Sequence, residues 1–164
     1  MQRKPSYIFW ILFLSQTFVN KAEDARFDTS KVCSELQGEN VRTSKVQLND
    51  GRAIPRLGFG TVEMKPGAET YGAVYQALNA GYRHIDTAAV YRNEDGVGKA
   101  LKRIFSDTDL NREDITITTK LWPGGLVKVD RIKNREGTIK SLDKSLRNLD
   151  IQYVDLYLIH SPHG

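Results

Sequence analysis

The chain has one cysteine, Cys33, so no disulfide can form within it and the fold cannot rest on oxidising chemistry. Histidine is nearly as scarce. His84, His160 and His163 are scattered along the chain and, with a lone cysteine, give no cluster of metal-ligand spacing. No Asn-x-Ser/Thr acceptor occurs, so glycosylation lends no support to a secreted location. No apolar run approaches the ~20 residues that a membrane-spanning helix requires. Strong charge of one sign is missing too. The net charge is +4, but Arg3, Lys4 and Lys21 precede any acidic residue, and beyond residue 22 there remain 21 basic against 20 acidic side chains. That balance, without a basic stripe interleaved with aromatics, leaves no footprint for nucleic acid.

Two nucleotide-binding signatures are also incomplete. "GFGTVE" opens like G-x-G-x-x-G but carries Glu63 at the third glycine position, and no Tyr-x-x-x-Lys pair of the short-chain dehydrogenase kind exists.

What the sequence does contain falls into three parts. "MQRKPSYIFWILFLSQTFVNKAED" has a basic start and an apolar core of about twelve residues from Tyr7 to Phe18. This suits a secretory signal over residues 1–22, although Asn20 is larger than a cleavage site prefers, and an uncleaved anchor or a mistaken gene start are the alternatives. A genuine leader sends the protein to the secretory pathway or outside the cell; otherwise it is cytoplasmic. Residues 23–44 are polar, lack periodicity and read as a linker holding an exposed Cys33 thiol.

From residue 45 the texture becomes periodic. "KVQLNDGRAIP" predicts a hairpin turning at Asn49-Asp50-Gly51. "RLGFGT" predicts a short strand. A helix follows over 65–81, with Ala73, Val74, Ala77 and Leu78 at helical spacing and Gly81 as its stop. "YRHIDT" reads as a strand, and a helix begins near Asn93 as N-cap. "ITITTKL" is a β-branched strand, and residues 130–149 form a helix with Ile132, Ile139, Leu142, Leu146 and Leu149 on one side. Residues 151–159 are an almost continuous apolar run, read as a last strand over Tyr153–Ile159 buried on both faces. Strands alternating with helices predict an α/β fold with a parallel sheet, in which chemistry gathers at the carboxyl ends of the strands. Those ends carry Gly60-Thr61, Asp86 with Tyr91 five residues on, Lys120, and His160. Bringing such charges together would cost several kcal/mol each unless they pair. As a set they suit proton delivery to an oxygen while hydride reaches carbon from a nicotinamide. The phenol is expected to have its pKa lowered by the Lys120 ammonium, which Asp86 holds, while the imidazole orients a carbonyl. His84, within its strand, is expected to be structural.

"GRAIPRLGFGT", "AGYRHIDTAAVYRNEDGVGKAL", "REDITITTKLW" and "DLYLIHSP" resemble the successive signatures of the aldo-keto reductases, over about 119 residues from Val46 to Gly164. The resemblance implies a (β/α)8 TIM barrel with a hairpin plugging its bottom, and NADPH-dependent reduction of aldehydes and ketones. It implies Tyr91 as general acid, Lys120 and Asp86 as its tuners, and His160 as the residue orienting the carbonyl. Gly60, Thr61 and Asp86 then approach the cofactor, and Trp122 is a wall of the substrate pocket. Val62 and Ser161 stand where many relatives carry larger side chains, which loosens that pocket. A complete barrel has eight βα units in about 250 residues. Residues 45–164 supply a hairpin, three βα units and a fourth strand, so a truncated domain without the family's main NADPH clamp is expected. Two further readings follow: a half-barrel that self-associates through open sheet edges and binds small molecules without turnover, or a secreted fragment.

Overall fold

The computed structural model describes residues 44–123 and 135–161. These fall in one unit, Asn40–Gly164. The leader, Cys33, Ile132 and His163 lie outside the described residues, as does the predicted helix start at 130–134.

The hairpin forms as its turn chemistry demands. Strands β1 (Lys45–Gln47) and β2 (Ala53–Pro55) pair antiparallel with Val46 opposite Ile54. Gly51 takes φ +85°, a left-handed conformation that costs glycine little, and its N–H donates to the Leu48 carbonyl at 3.2 Å.

A parallel sheet follows, in the order β3 (Phe59–Gly60), β4 (His84–Asp86), β5 (Thr116–Leu121), β6 (Leu156–Ile159). Helices α1 (Ala68–Asn79), α2 (Glu94–Asp107) and α3 (Arg135–Leu149) connect the strands in turn. The strand period of two then divides the sheet's faces. Ile85 and Ile117 point to the helices and join Val74, Leu78, Val97, Leu101, Ile104 and Leu149 in a buried core. Full burial of each such side chain contributes about 1.5–3 kcal/mol, an upper figure because unfolded chains are partly compact. His84 and Asp86 with Thr118 and Lys120 occupy the other face. Helices α2 and α3 touch at Gly98, where any added Cβ would collide with the Leu149 carbonyl, so the close crossing requires glycine.

Three expectations need correction. The last strand begins at Leu156, not at 153, because Arg112 binds the Tyr153 carbonyl (2.9 Å) and the Ile117 N–H reaches the Asp155 carboxylate (2.8 Å) before the ladder starts. Nor is that strand buried on both faces. Among the described residues β6 pairs with β5 on one side only, and Ile159 is 70% exposed. The apolar stripe of α3 is likewise uneven: Leu149 is buried, whereas Ile139 is 44% exposed.

Candidate active site

The parallel register carries each site residue to the same end of the sheet. Gly60 lies opposite Asp86, and Lys120 opposite Leu158, two residues before His160. Backbone bonds extend the ladder past the strands: Thr61 N–H to the Asp86 carbonyl (3.0 Å), Thr87 N–H to Thr118 (2.9 Å), and His160 N–H to Leu121 (2.9 Å). Tyr91 ends a single 3-10 turn, Ala89–Tyr91, after β4.

The four expected side chains converge. Lys120, 6% exposed, donates through Nζ to Asp86 Oδ1 in a short contact, to the Thr87 carbonyl at 3.1 Å and to the Tyr91 hydroxyl at 3.5 Å. His160 stands edge-on to Tyr91 with ring centroids 5.4 Å apart, and edge-on to Trp122 at 5.2 Å. His160 Nδ1 and Trp122 Nε1 are both buried and meet no hydrogen-bond partner among the described residues.

Electrostatics here differ from the sequence expectation at one point. The Tyr91 phenol is pushed up, not down: burial favours its neutral form and the Asp86 carboxylate adds to this. The Lys120 ammonium is engaged with Asp86 and touches the hydroxyl only at long range, so it does not reverse the trend. The group is therefore a phenol holding its proton, in the state a donor requires. Burial also pushes the Lys120 amine down, opposed by Asp86. His160 is lowered by burial and by the Lys120 charge, which keeps its imidazole neutral near pH 7.

Thr61 has no exposed surface; its hydroxyl donates to Thr87 Oγ1 at 2.9 Å and bonds at 3.4 Å to the Asp86 carbonyl. Its side chain is part of the frame, and the open approach at this strand end is over Gly60, where an added Cβ would meet nothing within 4 Å. Asn93 occupies the N-cap position of α2 but makes no side-chain cap; its amide turns back toward β3 instead. Glu94, 2% exposed, accepts from Thr119 Oγ1 (2.8 Å) and Asn148 (3.1 Å), tying α2 to β5 and α3. Sequence reasoning passed over Thr87 and Glu94; the one available signal was polar residues packed against the ends of apolar elements. His84 is structural as expected, with Nε2 2.9 Å from Thr118 Oγ1. Among the described residues no group of acidic, histidine or cysteine side chains could hold a metal ion, and no helix is long and apolar enough to cross a membrane.

Fold and site define an α/β protein of strand–helix repeats, with acid–base groups gathered at the carboxyl edge of a parallel sheet. The pattern of the Aldo/keto reductase family matches residues 56–164. Among curated relatives, prostaglandin F synthase 1 of Bos taurus is 44% identical over 123 residues, which is 74% of this chain and 36% of that protein. Glycerol 2-dehydrogenase (NADP(+)) of Saccharomyces cerevisiae is 47% identical over 120 residues, 73% of this chain and 34% of its own length. Among solved structures, the aldose reductase of Schistosoma japonicum superposes with a TM-score of 0.65 at 43% identity, covering 73% of this chain and 37% of that one. The aldo-keto reductase of Bombyx mori in complex with NADP gives 0.63 at 40% identity, covering 73% and 38%. The chain belongs to the aldo/keto reductase family. It spans a little over a third of the length of the relatives it matches, as part of a TIM barrel whose sheet is not closed among the described residues.

Proposed function

We propose that this segment carries the proton-donating and carbonyl-orienting half of an NADPH-dependent reductase that converts aldehydes and ketones to alcohols. The observation that supports it most is the contact of Tyr91 with both a paired lysine and a neutral imidazole. Tyr91 gives its proton to the carbonyl oxygen as the alcohol forms. His160 hydrogen-bonds that oxygen and fixes its direction. Lys120, steadied by Asp86, supplies positive charge beside the phenolate left behind. The residues fit a nicotinamide: Gly60 leaves its approach open, and His160 Nδ1 and Trp122 Nε1 bring polar capacity that the described residues do not use. Gly60 and Asp86 would line its ring and ribose, with Thr61 buried behind them as the frame of this strand end, and when bound it supplies the hydride to the carbonyl carbon. The relatives named for NADP support that choice of cofactor. The relatives' names span a prostaglandin synthase and a glycerol dehydrogenase, so the proposal stops at the carbonyl class.

The test is NADPH consumption with benzaldehyde by protein expressed from its full transcript. Tyr91→Phe is expected to lower turnover by about 10²–10⁴-fold while NADPH binding, followed by fluorescence, survives. Retained turnover would remove Tyr91 from the role.

A second reading is favoured by the exposed Leu158 and Ile159 on β6: self-association along that edge. Light scattering tests it, and a monomer at micromolar concentration would end it. The leader supports entry into the secretory pathway, which amino-terminal sequencing of protein recovered from the medium checks by a start near Glu23.

A further inference from the structure

Asn93 has no exposed surface, yet its side chain makes no cap bond to the helix it begins. Its Nδ2 donates to two backbone carbonyls of the segment after β3, Thr61 at 2.8 Å and Met64 at 3.1 Å. Its Oδ1 accepts from Thr87 Oγ1 at 3.4 Å, and Thr87 Oγ1 in turn accepts from Thr61 Oγ1 at 2.9 Å. Thr87 and Asn93 are the two ends of the loop that carries Tyr91, so one carboxamide closes this loop at its base and fastens it to the neighbouring strand end. The carbonyl of Thr87 also receives Lys120 Nζ at 3.1 Å, placing the loop's first residue on the same lysine that meets the phenol.

The backbone on both sides of this carboxamide is strained. Arg92, between Tyr91 and Asn93, has φ 57°, and Glu63, between the two carbonyls Asn93 binds, has φ 63°. Each is unfavourable for a non-glycine residue and persists only where surrounding contacts enforce it. The Asn93 hydrogen bonds are contacts of that kind, buried and therefore expensive to leave unmade.

We infer that Asn93 is a positioning residue for the proposed proton donor: its amide holds the Tyr91 loop in the strained form that sets the phenol against Lys120 and His160. The inference rests on the reading of Tyr91 as the donor. Asn93→Asp keeps the shape and removes both donated bonds. A displacement near 1 Å at a reacting group lowers rate by about 100-fold, so kcat should fall on that order while KM stays within about threefold. In the Tyr91→Phe background the same substitution should do nothing further to turnover, since it acts through the phenol. Nuclear magnetic resonance gives a readout independent of catalysis: ring cross-peaks between Tyr91 and His160 should weaken or vanish in Asn93→Asp. Cross-peaks and kcat both unchanged would overturn the inference. If Asn93→Asp does not fold, Thr87→Val deletes one arm of the network at constant shape. It should shift the same cross-peaks in the same direction, and unaltered ones would again overturn it. Turnover surviving in Tyr91→Phe would sink the donor reading instead, leaving the cross-peaks to judge Asn93 alone.

Discussion

Each end of the sheet carries a lysine or arginine bound to an aspartate, and the two pairs are built differently. At the amino end, Arg112 bonds Asp155 Oδ2 (2.7 Å), the Ile115 carbonyl (2.5 Å) and the Tyr153 carbonyl (2.9 Å), and its guanidinium stacks 4.0 Å over the Tyr153 ring. Asp155 takes the Ile117 N–H as well. Arg112 Nε is left over, but the rest of the pair closes on itself and stitches the start of β5 to the approach of β6. At the carboxyl end, Lys120 and Asp86 are buried more deeply, with side chains 7% and 18% exposed against 14% and 26%. Yet around them stand a phenol that the lysine meets only at 3.5 Å, and an imidazole and an indole whose Nδ1 and Nε1 find no partner among the described residues. A pair whose hydrogen bonds go mainly to the backbone of two neighbouring strands holds those elements together. A pair kept beside a buried imidazole and indole with unspent ring nitrogens suits the proton-donating role proposed above.

The largest effect expected from breaking this contrast comes at the carboxyl end. Lys120→Met should lower carbonyl reduction by about 10²–10⁴-fold, because it removes the cation beside the developing phenolate. It also strands the Asp86 carboxylate. Removing one partner of a fully buried pair costs about 3–5 kcal/mol, and with Asp86 partly wet the loss should be nearer about 2 kcal/mol in urea unfolding. The converse holds for Arg112→Ala. Stability should fall by about 2–3 kcal/mol through the lost carbonyl bonds and the unpaired Asp155, while kcat changes by less than about threefold. An Arg112→Ala enzyme as crippled as Lys120→Met would erase the distinction between the two ends.

A smaller loss is expected between these two layers. Glu94→Gln keeps the shape of the buried side chain but weakens its bonds to Thr119 and Asn148. Bonds to charged groups contribute about 1.5–3 kcal/mol, and glutamine retains part of that, so thermal unfolding should register about 1 kcal/mol with turnover little altered. Tracking of the loss by turnover would show that the helix layer, not only the strand ends, sets the site.

What the sequence made legible follows from periodicity. The turn at Gly51, the buried Val74, Ala77 and Leu78, and the placement of Asp86, Lys120 and His160 at strand ends all come from local spacing in a parallel α/β fold. What it hid depends on partners distant in the chain. Arg112 meets Asp155 across 43 residues, and Glu94 meets Asn148 across 54. Asn93 at a helix start reads as a cap, and only the position of β3 shows its amide turned elsewhere. The apolar run before His160 says that a strand forms, but exposure of Ile159 depends on what lies beyond β6, which composition does not encode. The direction of the Tyr91 shift was misjudged for a related reason: proximity of an ammonium is readable from motif order, whereas depth of burial is not.

The smallest expected effect uses pH to separate the two ends. His84 lies beneath the Asp86–Lys120 pair, and its pKa is lowered from the ordinary 6.5 by burial, with Asp86 and the Pro55 carbonyl pulling weakly the other way. Its folded form binds a proton less readily than its unfolded form. Stability from this group is therefore complete above about pH 6.5 and is lost as pH falls through the lowered folded value. Carboxylates titrate lower, near about pH 4, so a melting temperature flat above pH 6.5 and declining just below it reports histidine. His160 is lowered too and adds to the same slope, but on the proposed function its protonation would also place charge beside the carbonyl oxygen. In His84→Gln the acid-side decline of stability should become shallower while the pH dependence of kcat/KM is unmoved, because that dependence belongs to His160. If His84→Gln shifted the catalytic profile as much as the melting profile, the lower layer of the sheet would be electrically part of the site, and the separation between a closed end and an open one would have to be redrawn through His84.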